Sequence, residues 1–116
     1  MSVNKVILLG NVGRDPEIRY VQDRPIATFA LATDEPAPPT GPDGSAATEP
    51  RTEWHRIVMW DKAAEIAERY IRKGTRLYVE GKLRHRQWQD RTGISRTITE
   101  IYADFFEILG GPSQSK

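Results

Sequence analysis

Flat aromatic rings alternate with guanidinium groups in two segments of the sequence, 54–60 and 84–88. Side chains alternate between the two faces of a strand, so each ring shares one face with its basic neighbours if the segment is extended. An indole ring can stack on another planar group, and a guanidinium group can form paired hydrogen bonds to a phosphate. The residues concerned are Trp54, Arg56, Trp60, Arg84, Arg86 and Trp88.

This composition suits an unpaired nucleic-acid strand. Each unpaired base offers a ring face whatever its identity, and stacking one base on an aromatic side chain contributes about 1–3 kcal/mol. A duplex hides those faces, so exposed indole rings favour single strands. For any one tryptophan alone, a place in the core is an equally good interpretation, but the shared phase of all three with arginines favours binding. The other aromatic residues expected in the core are Phe29, Tyr70, and Phe105 or Phe106.

The charge distribution supports a polyanion as the partner. The 17 basic and 16 acidic residues give a net charge of only +1. Residues 69–96, however, hold nine basic residues against Glu80 and Asp90, a local excess of +7 that ends at Arg96. Such an excess attracts a polyanion even when the total charge is near zero. A solvated face that keeps the protein in solution is the alternative.

Catalytic and metal-binding chemistry has little support in this sequence. The chain has no cysteine, which excludes disulfides and cysteine-ligated zinc, and it has only two histidines, His55 and His85. No close pair of carboxylates faces a histidine on one strand. Gly10-x-x-Gly13 lacks the rest of a phosphate-binding loop and is better explained as a bend at a strand end. We therefore expect a non-enzymatic protein without a metal or cofactor.

Five strands and one helix are expected to position the rings. The helix follows Asp61, its predicted N-cap, and is predicted to close at Gly74. A single helix between the third and fourth of five strands predicts an all-β OB-fold, a five-stranded Greek-key barrel. A generic α+β sandwich is the alternative. The first four strands are predicted over Val3–Leu9 (continued past a bend as Glu17–Val21), Ile26–Thr33, Arg51–Trp60 and Thr75–Lys82. The extended segments Arg84–Gln89 and Ser95–Ile101 are predicted to flank a hairpin turn, and the final strand is expected to run on toward Ile108.

Length and hydropathy favour one soluble domain. The chain of 116 residues fits a single domain, which we expect to span residues 1–110, with 111–116 as a short flexible stub. The proline-rich segment 34–50 is expected to be a mobile loop. The longest aliphatic run, residues 6–9, is far shorter than the ~18 residues of a membrane helix, so we expect a protein that is neither membrane-bound nor exported.

Several motifs resemble the bacterial single-stranded DNA-binding proteins, a homotetrameric OB-fold family, over nearly all of residues 3–110. The resemblance implies sequence-independent binding and protection of single-stranded DNA in replication, recombination and repair, in the cytoplasm and at the nucleoid. The stretches that carry it are VNKVILLGNVGRDPEIRY, ATFALAT, TEWHRIVMWDKAAEIAERYIRKG and LYVEGKLRHRQW.

The resemblance also implies roles for individual residues. Trp54 and Trp88 match positions that stack on bases, and Trp60 stands where the family usually has a stacking phenylalanine. His55 and the first strand, with Val3, Lys5 and Ile7, match positions of subunit contact. The residues in stretches that line the DNA path of the family are Arg56, Lys62, Arg72, Lys73, Arg84 and Arg86, and we add Arg96 to this basic path.

Two departures from the family pattern leave alternatives open. The family often carries a further tryptophan shortly after the second strand, where this sequence has Asp34-Glu35-Pro36-Ala37. The family also ends in a long tail whose acidic tip recruits repair and replication enzymes. This sequence stops at Ser113-Gln114-Ser115-Lys116, so either the chain is truncated or it is a short member that does not recruit partners in that way.

Two other functions compete with this interpretation. A dimeric OB-fold adaptor of the primosome type would bind single strands weakly and act through proteins. A small nuclease on a similar barrel would need a carboxylate cluster or metal site, which the sequence does not indicate.

Overall fold

The computed structural model describes residues 1–36 and 51–112. The segments 37–50, most of the predicted mobile loop, and 113–116, most of the predicted stub, lie outside the described residues. Within the described part the chain forms β1 (Val6–Val12), β2 (Glu17–Val21), β3 (Arg24–Glu35), β4 (Arg51–Trp60), α1 (Lys62–Tyr70), β5 (Arg76–Gln89) and β6 (Ser95–Gly110).

The sheet closes on itself. The strands follow the order β1-β5-β6-β4-β3-β2, and a further pairing joins β1 to β3. Asn11 makes the closure, because it pairs with Arg76 of β5 on one side and with Ala32 of β3 on the other. All neighbours are antiparallel except β4 and β6. The ring has five strands, and β2 continues β1 after a bend, so the predicted OB-fold with its helix after the third strand is confirmed.

Closure of the ring requires a glycine in β1. A Cβ atom on Gly10 would overlap the carbonyl group of Ala32, because β1 crosses close to β3 at this point. The prediction that a turn begins at Gly10 was therefore wrong. The strand begins later than predicted, at Val6, and runs through Gly10 to Val12. Glycine here permits a close approach of two backbones rather than a turn.

The core fills the interior of the ring and extends under the helix. Leu31, Ile57, Met59, Leu77 and Val79 are fully buried. Ala64, Ala67 and Ile71 close one end of the barrel from α1 and the residue after it. Phe29 is buried and Phe106 packs against the core, as predicted.

The prediction for Tyr70 was wrong. Its side chain is 62% exposed. The buried positions of the helical segment are Ala64, Ala67 and Ile71. Tyr70 is the last residue of the helix and lies at the outer margin of this apolar face.

Both ends of the helix differ from the prediction. Asp61 has φ 57° and its side chain makes no capping hydrogen bond; its carboxylate accepts two hydrogen bonds from Arg24 instead. The helix ends at Tyr70, since Ile71 is already extended. Gly74, the predicted end, has φ 92° and donates its N–H to the carbonyl oxygen of Val12, so it turns the chain into β5.

β5 and β6 form a long hairpin. β5 is continuous from Arg76 to Gln89, where two shorter strands were predicted, and it pairs with β6 along its length. At the turn, Asp90 accepts hydrogen bonds from the N–H groups of Thr92 and Ile94.

No helix in the described part of the chain is long and apolar enough to cross a bilayer.

Candidate nucleic-acid interface

Trp54 presents its indole ring at the surface near the start of β4. Its side chain is 59% exposed, and one side of the ring lies against Gly13, where a Cβ atom would overlap ring carbons. The ring lines a groove of about 490 Å³ together with Arg14 and Arg56. An exposed ring beside two guanidinium groups is what a base and its phosphate require.

Trp88 is the second exposed indole. It lies near the end of β5, is 45% exposed and pairs across the hairpin with Arg96. The Nε of Arg96 donates to Asp90 at 2.9 Å. The pKa of Asp90 is lowered to about 2, first by the hydrogen bond from the Thr92 hydroxyl and then by the bond from Arg96. The turn thus holds Arg96 in place beside Trp88.

Trp60 is less accessible than the other two tryptophans. It is half-buried, and the guanidinium carbon of Arg24 lies 4.7 Å from its ring centroid. Arg24 is itself fixed by two hydrogen bonds to Asp61, at 3.0 and 2.7 Å. The hydrogen bond from Arg24 lowers the pKa of Asp61, so the pair stays charged and keeps the cation over the indole.

A fourth aromatic ring adjoins Trp60. The ring centroids of Trp60 and Tyr102 are 6.4 Å apart, and the guanidinium carbon of Arg84 lies 5.5 Å from the centroid of Tyr102. Two neighbouring rings, each with a guanidinium group against it, therefore form a row across four strands. We call Arg24, Trp60, Tyr102 and Arg84 the cross-strand row.

Sequence reasoning missed two members of the cross-strand row, Arg24 and Tyr102. The pairing that brings Tyr102 beside Trp60 is the parallel contact of β4 with β6, in which Val58 is opposite Tyr102. That contact joins strands separated by the helix and by β5. The alternation of side chains within β4 or within β6 therefore could not predict it.

Glu100 joins two arginines that were predicted for the phosphate path. Its side chain is buried, at 3% exposure, and accepts hydrogen bonds from Nε of Arg56 at 2.9 Å and from Nη2 and Nε of Arg86 at 3.1 and 3.3 Å. Burial alone would raise the pKa of Glu100, but Arg86 and Arg56 together lower it below its usual value. The cluster keeps one net positive charge, and both guanidinium groups have a fixed orientation.

The other basic residues predicted for the path lie at the two ends of the helix. Arg72 donates to the carbonyl oxygens of Glu68 and Ile71 at the end of the helix. The backbone N–H of Lys73 donates to Asp15. Lys62 begins the helix and lines a second, smaller groove with Tyr70. Among the described residues, no hydrogen bond, ion pair or ring contact joins them to the tryptophans.

Strand alternation in β4 was only partly correct. Alternation puts Val58 on the same face as Trp54 and Trp60, yet it is buried at 5% exposure. It lies in the middle of β4, between Thr28 of β3 and Tyr102 of β6, so neighbouring strands flank it on both sides. His55, on the opposite face, is half-buried and within 2.9 Å of the Thr33 hydroxyl, but it also lines the groove beside Trp54.

Three of the four residues predicted for subunit contact lie near or on β1, and the fourth, His55, lies on β4. Val3 is 88% and Ile7 59% exposed, and Lys5 forms an ion pair with Glu80 at 2.9 Å. In the described chain, β1 pairs with β3 only at its last two residues, so residues 6–9 have a strand partner on one edge alone. The exposed apolar side chains of this side of the barrel are Ile7, Leu9, Phe105 and Leu109.

Acidic side chains and histidines do not cluster in the described part of the chain. Residues 1–36 and 51–112 contain no group of three or more His, Cys, Asp or Glu side chains that could hold a metal ion. The buried carboxylate, Glu100, is occupied by two arginines.

Comparisons with known proteins agree with this geometry. A model of the single-strand binding protein family matches residues 3–109. The chain is 49% identical over 110 residues to a single-stranded DNA-binding protein of Bacteroides thetaiotaomicron, covering 94% of this chain and 67% of the relative. It is 43% identical over 116 residues to a single-stranded DNA-binding protein of Neisseria meningitidis serogroup A, covering 99% of this chain and 64% of the relative. The chain thus spans about two thirds of the length of these relatives.

A solved structure is also similar. It is described as a Plasmodium falciparum SSB complex with ssDNA, and it matches with a TM-score of 0.83 at 34% identity, over 94% of this chain and 97% of that one. The similarity extends over the whole barrel.

Proposed function

The chain belongs to the single-strand binding protein family, and from this premise we propose that it binds and protects single-stranded DNA without regard to sequence during replication, recombination and repair. The family is one of non-enzymatic DNA-binding proteins, and the proposal includes no reaction. We place the protein in the cytoplasm, at the nucleoid.

The observation that carries the proposal is the exposure of two indole rings beside arginines. Trp54 and Trp88 are 59% and 45% exposed, although burying such rings would stabilise the fold. Each has an arginine close by, Arg56 in the same groove and Arg96 across the hairpin. Stacking on these rings would hold bases of any identity.

Basic side chains would hold the phosphates between stacked bases. Arg56 and Arg86 present guanidinium groups oriented by Glu100, and Arg84 is part of the cross-strand row. Further phosphate contacts are proposed for Lys62, Arg72, Lys73 and Arg96.

The proposed assembly is a homotetramer, the usual state of this family. The exposed apolar residues around Ile7, the one-sided edge of β1 and half-buried His55 support contacts between subunits. A second copy would cover an edge that otherwise favours aggregation. Several copies held together raise the local concentration of binding sites along one strand.

The binding domain is proposed to be residues 1–110, since β6 ends at Gly110, with 111–116 as a short stub. The curated relatives extend further than this chain. The proposal does not extend to recruitment of replication or repair proteins.

A titration with oligothymidine tests the proposal. Tryptophan fluorescence should be quenched on binding, and the logarithm of the affinity should fall linearly with the logarithm of salt concentration, by about 0.7 per phosphate neutralised. Light scattering on the same sample should give a tetramer. Absence of quenching and of binding at low salt would refute the proposal.

The dimeric primosomal adaptor is the second candidate. The absence of a ring at residues 34–37 is the feature that favours it, but the relatives carry the name of single-stranded DNA-binding proteins. A dimer in light scattering, combined with weak binding of oligothymidine, would support the adaptor instead.

A further inference from the structure

We infer that Tyr102 is a base-stacking residue of the single-strand path, and that Arg84 covers its ring until a base replaces it. The inference rests on the proposed function and adds a fourth stacking ring to Trp54, Trp60 and Trp88. It comes from the cross-strand row, in which the two rings differ in how firmly their cations are held.

The cation over Trp60 is fixed. Arg24 lies 4.7 Å from the ring centroid and is tied to Asp61 by two hydrogen bonds. A base that stacks on the covered face of Trp60 must break both bonds or push Arg24 aside. Trp60 and Tyr102 are both half-buried, so the two rings differ in the hold on their cations and not in burial class.

The cation over Tyr102 is held more loosely. Arg84 lies 5.5 Å from the ring centroid, near the outer limit of about 6 Å for a cation–ring interaction. Among the described residues, the Arg84 side chain makes this ring contact and no hydrogen bond or ion pair. The guanidinium group is therefore able to leave the ring without breaking another bond.

When a nucleotide binds, the ring of Tyr102 and the guanidinium group of Arg84 would each exchange their present contact for a new one. A base entering over Tyr102 takes the ring face, and Arg84 moves to the phosphate of that nucleotide. Because Arg84 is exposed and Tyr102 half-buried at the surface, both can reach a strand that crosses β5 and β6. Stacking and phosphate binding are then coupled at this nucleotide.

The variant Tyr102→Leu removes the ring and keeps an apolar side chain, while Tyr102→Phe keeps the ring. Tyr20→Leu is the matched control: Tyr20 is 65% exposed and pairs with Pro25, so it faces away from Arg24, whose partner is Val21. Affinity for oligothymidine should fall roughly 5- to 150-fold in Tyr102→Leu, the range for one stacked base. Tyr102→Phe and Tyr20→Leu should keep the wild-type affinity.

Two further comparisons separate stacking from other effects. An uncharged ring contributes no phosphate contact, so Tyr102→Leu should keep the wild-type salt slope, whereas Arg84→Leu should reduce it by about 0.7. On an abasic oligomer of the same length, Tyr102→Leu and the wild-type protein should bind equally.

A photochemical measurement on the wild-type protein covers the case in which Tyr102→Leu does not fold. An oligomer carrying 5-iodouracil is irradiated in the complex, and adducts are mapped by mass spectrometry. An adduct on Tyr102 is expected. Wild-type affinity in folded Tyr102→Leu, or adducts on Trp54 and Trp88 without one on Tyr102, would overturn the inference and leave the proposed function standing. Failure of the wild-type protein to bind oligothymidine would refute the proposed function itself.

Discussion

The indole ring of Trp54 lies directly against the backbone of Gly13, in the space that a Cβ atom would occupy. Gly13 follows β1, and Trp54 lies near the start of β4, so residues far apart in sequence set the position of an exposed ring. The ring is supported on one side and open to the groove on the other. This support fixes the indole before a base arrives, and such preorganisation lowers the entropic cost of binding.

The substitution Gly13→Ala should therefore displace the indole. The atoms that would clash belong to the far end of the Trp54 side chain, which can rotate away, so we expect little loss of stability. Affinity for oligothymidine should fall, by up to the roughly 5- to 150-fold contributed by one stacked base. Gly111→Ala is the control, because a Cβ atom there meets nothing within 4 Å. Wild-type affinity in Gly13→Ala would contradict the role assigned to this contact.

Trp54→Ala and Trp88→Ala should each weaken binding without unfolding the protein. Both side chains are about half exposed, so each substitution removes little buried surface but one stacking platform, which contributes about 1–3 kcal/mol per base. Fluorescence polarisation of a labelled oligomer gives the affinities, and urea unfolding gives the stabilities. Full affinity in both variants would show that the bases lie elsewhere.

Glu100→Gln should lower the free energy of unfolding by about 1–3 kcal/mol, because a buried carboxylate loses charged hydrogen bonds to Arg56 and Arg86. The arginines are partly exposed, which keeps the loss below that of a fully buried pair. Urea unfolding near neutral pH measures it, with Glu53→Gln, at an exposed position of β4, as control. Equal stability of Glu100→Gln and the wild-type protein would contradict the bridging role.

The pH dependence of that difference follows from the lowered pKa of Glu100. A carboxyl group whose pKa is lower in the folded state stabilises the protein above its unfolded pKa of about 4.3. The contribution is lost as the pH falls through the lower, folded value. The stability gap between wild-type protein and Glu100→Gln should therefore be full near neutral pH and should narrow below about pH 4. A stability difference between the two proteins that stays constant below pH 4 would contradict the lowered pKa of Glu100.

The carboxyl group of Asp90 should titrate at a pH of about 2, well below the usual value of about 3.9 for aspartate. The Thr92 hydroxyl is the first cause of the shift and Arg96 the second. NMR titration of the side-chain carboxyl carbon measures it, and Thr92→Val should move the midpoint upward. An ordinary midpoint in the wild-type protein would mean that the turn does not hold Arg96 beside Trp88.

Features that depend on neighbours in the sequence could be predicted, whereas features that depend on residues distant in the sequence could not. Alternation in β4 was sufficient to predict that Trp54 is exposed, because alternation depends on one strand only. The same alternation failed for Val58, whose burial depends on strands to either side. Asp61 fits the pattern of a helix cap, but its carboxylate binds Arg24, a partner 37 residues away.

Glycines show the same limit. A glycine that follows an aliphatic run favours a turn when only its sequence neighbours are considered. For this reason a bend was predicted at Gly10 and Gly13. The structure uses Gly10 for the approach of β3 and Gly13 for the ring of Trp54. Neither partner is a sequence neighbour, so only the closed barrel reveals what these positions require.

The most direct test of the account is the ratio of affinities for a single strand and for a duplex with the same number of phosphates, measured by competition at one salt concentration. Phosphate contacts serve both ligands, but only the single strand offers base faces to Trp54 and Trp88. We predict a strong preference for the single strand, which falls when both tryptophans are replaced by alanine. Equal affinity of the wild-type protein for the two ligands would contradict binding by base stacking.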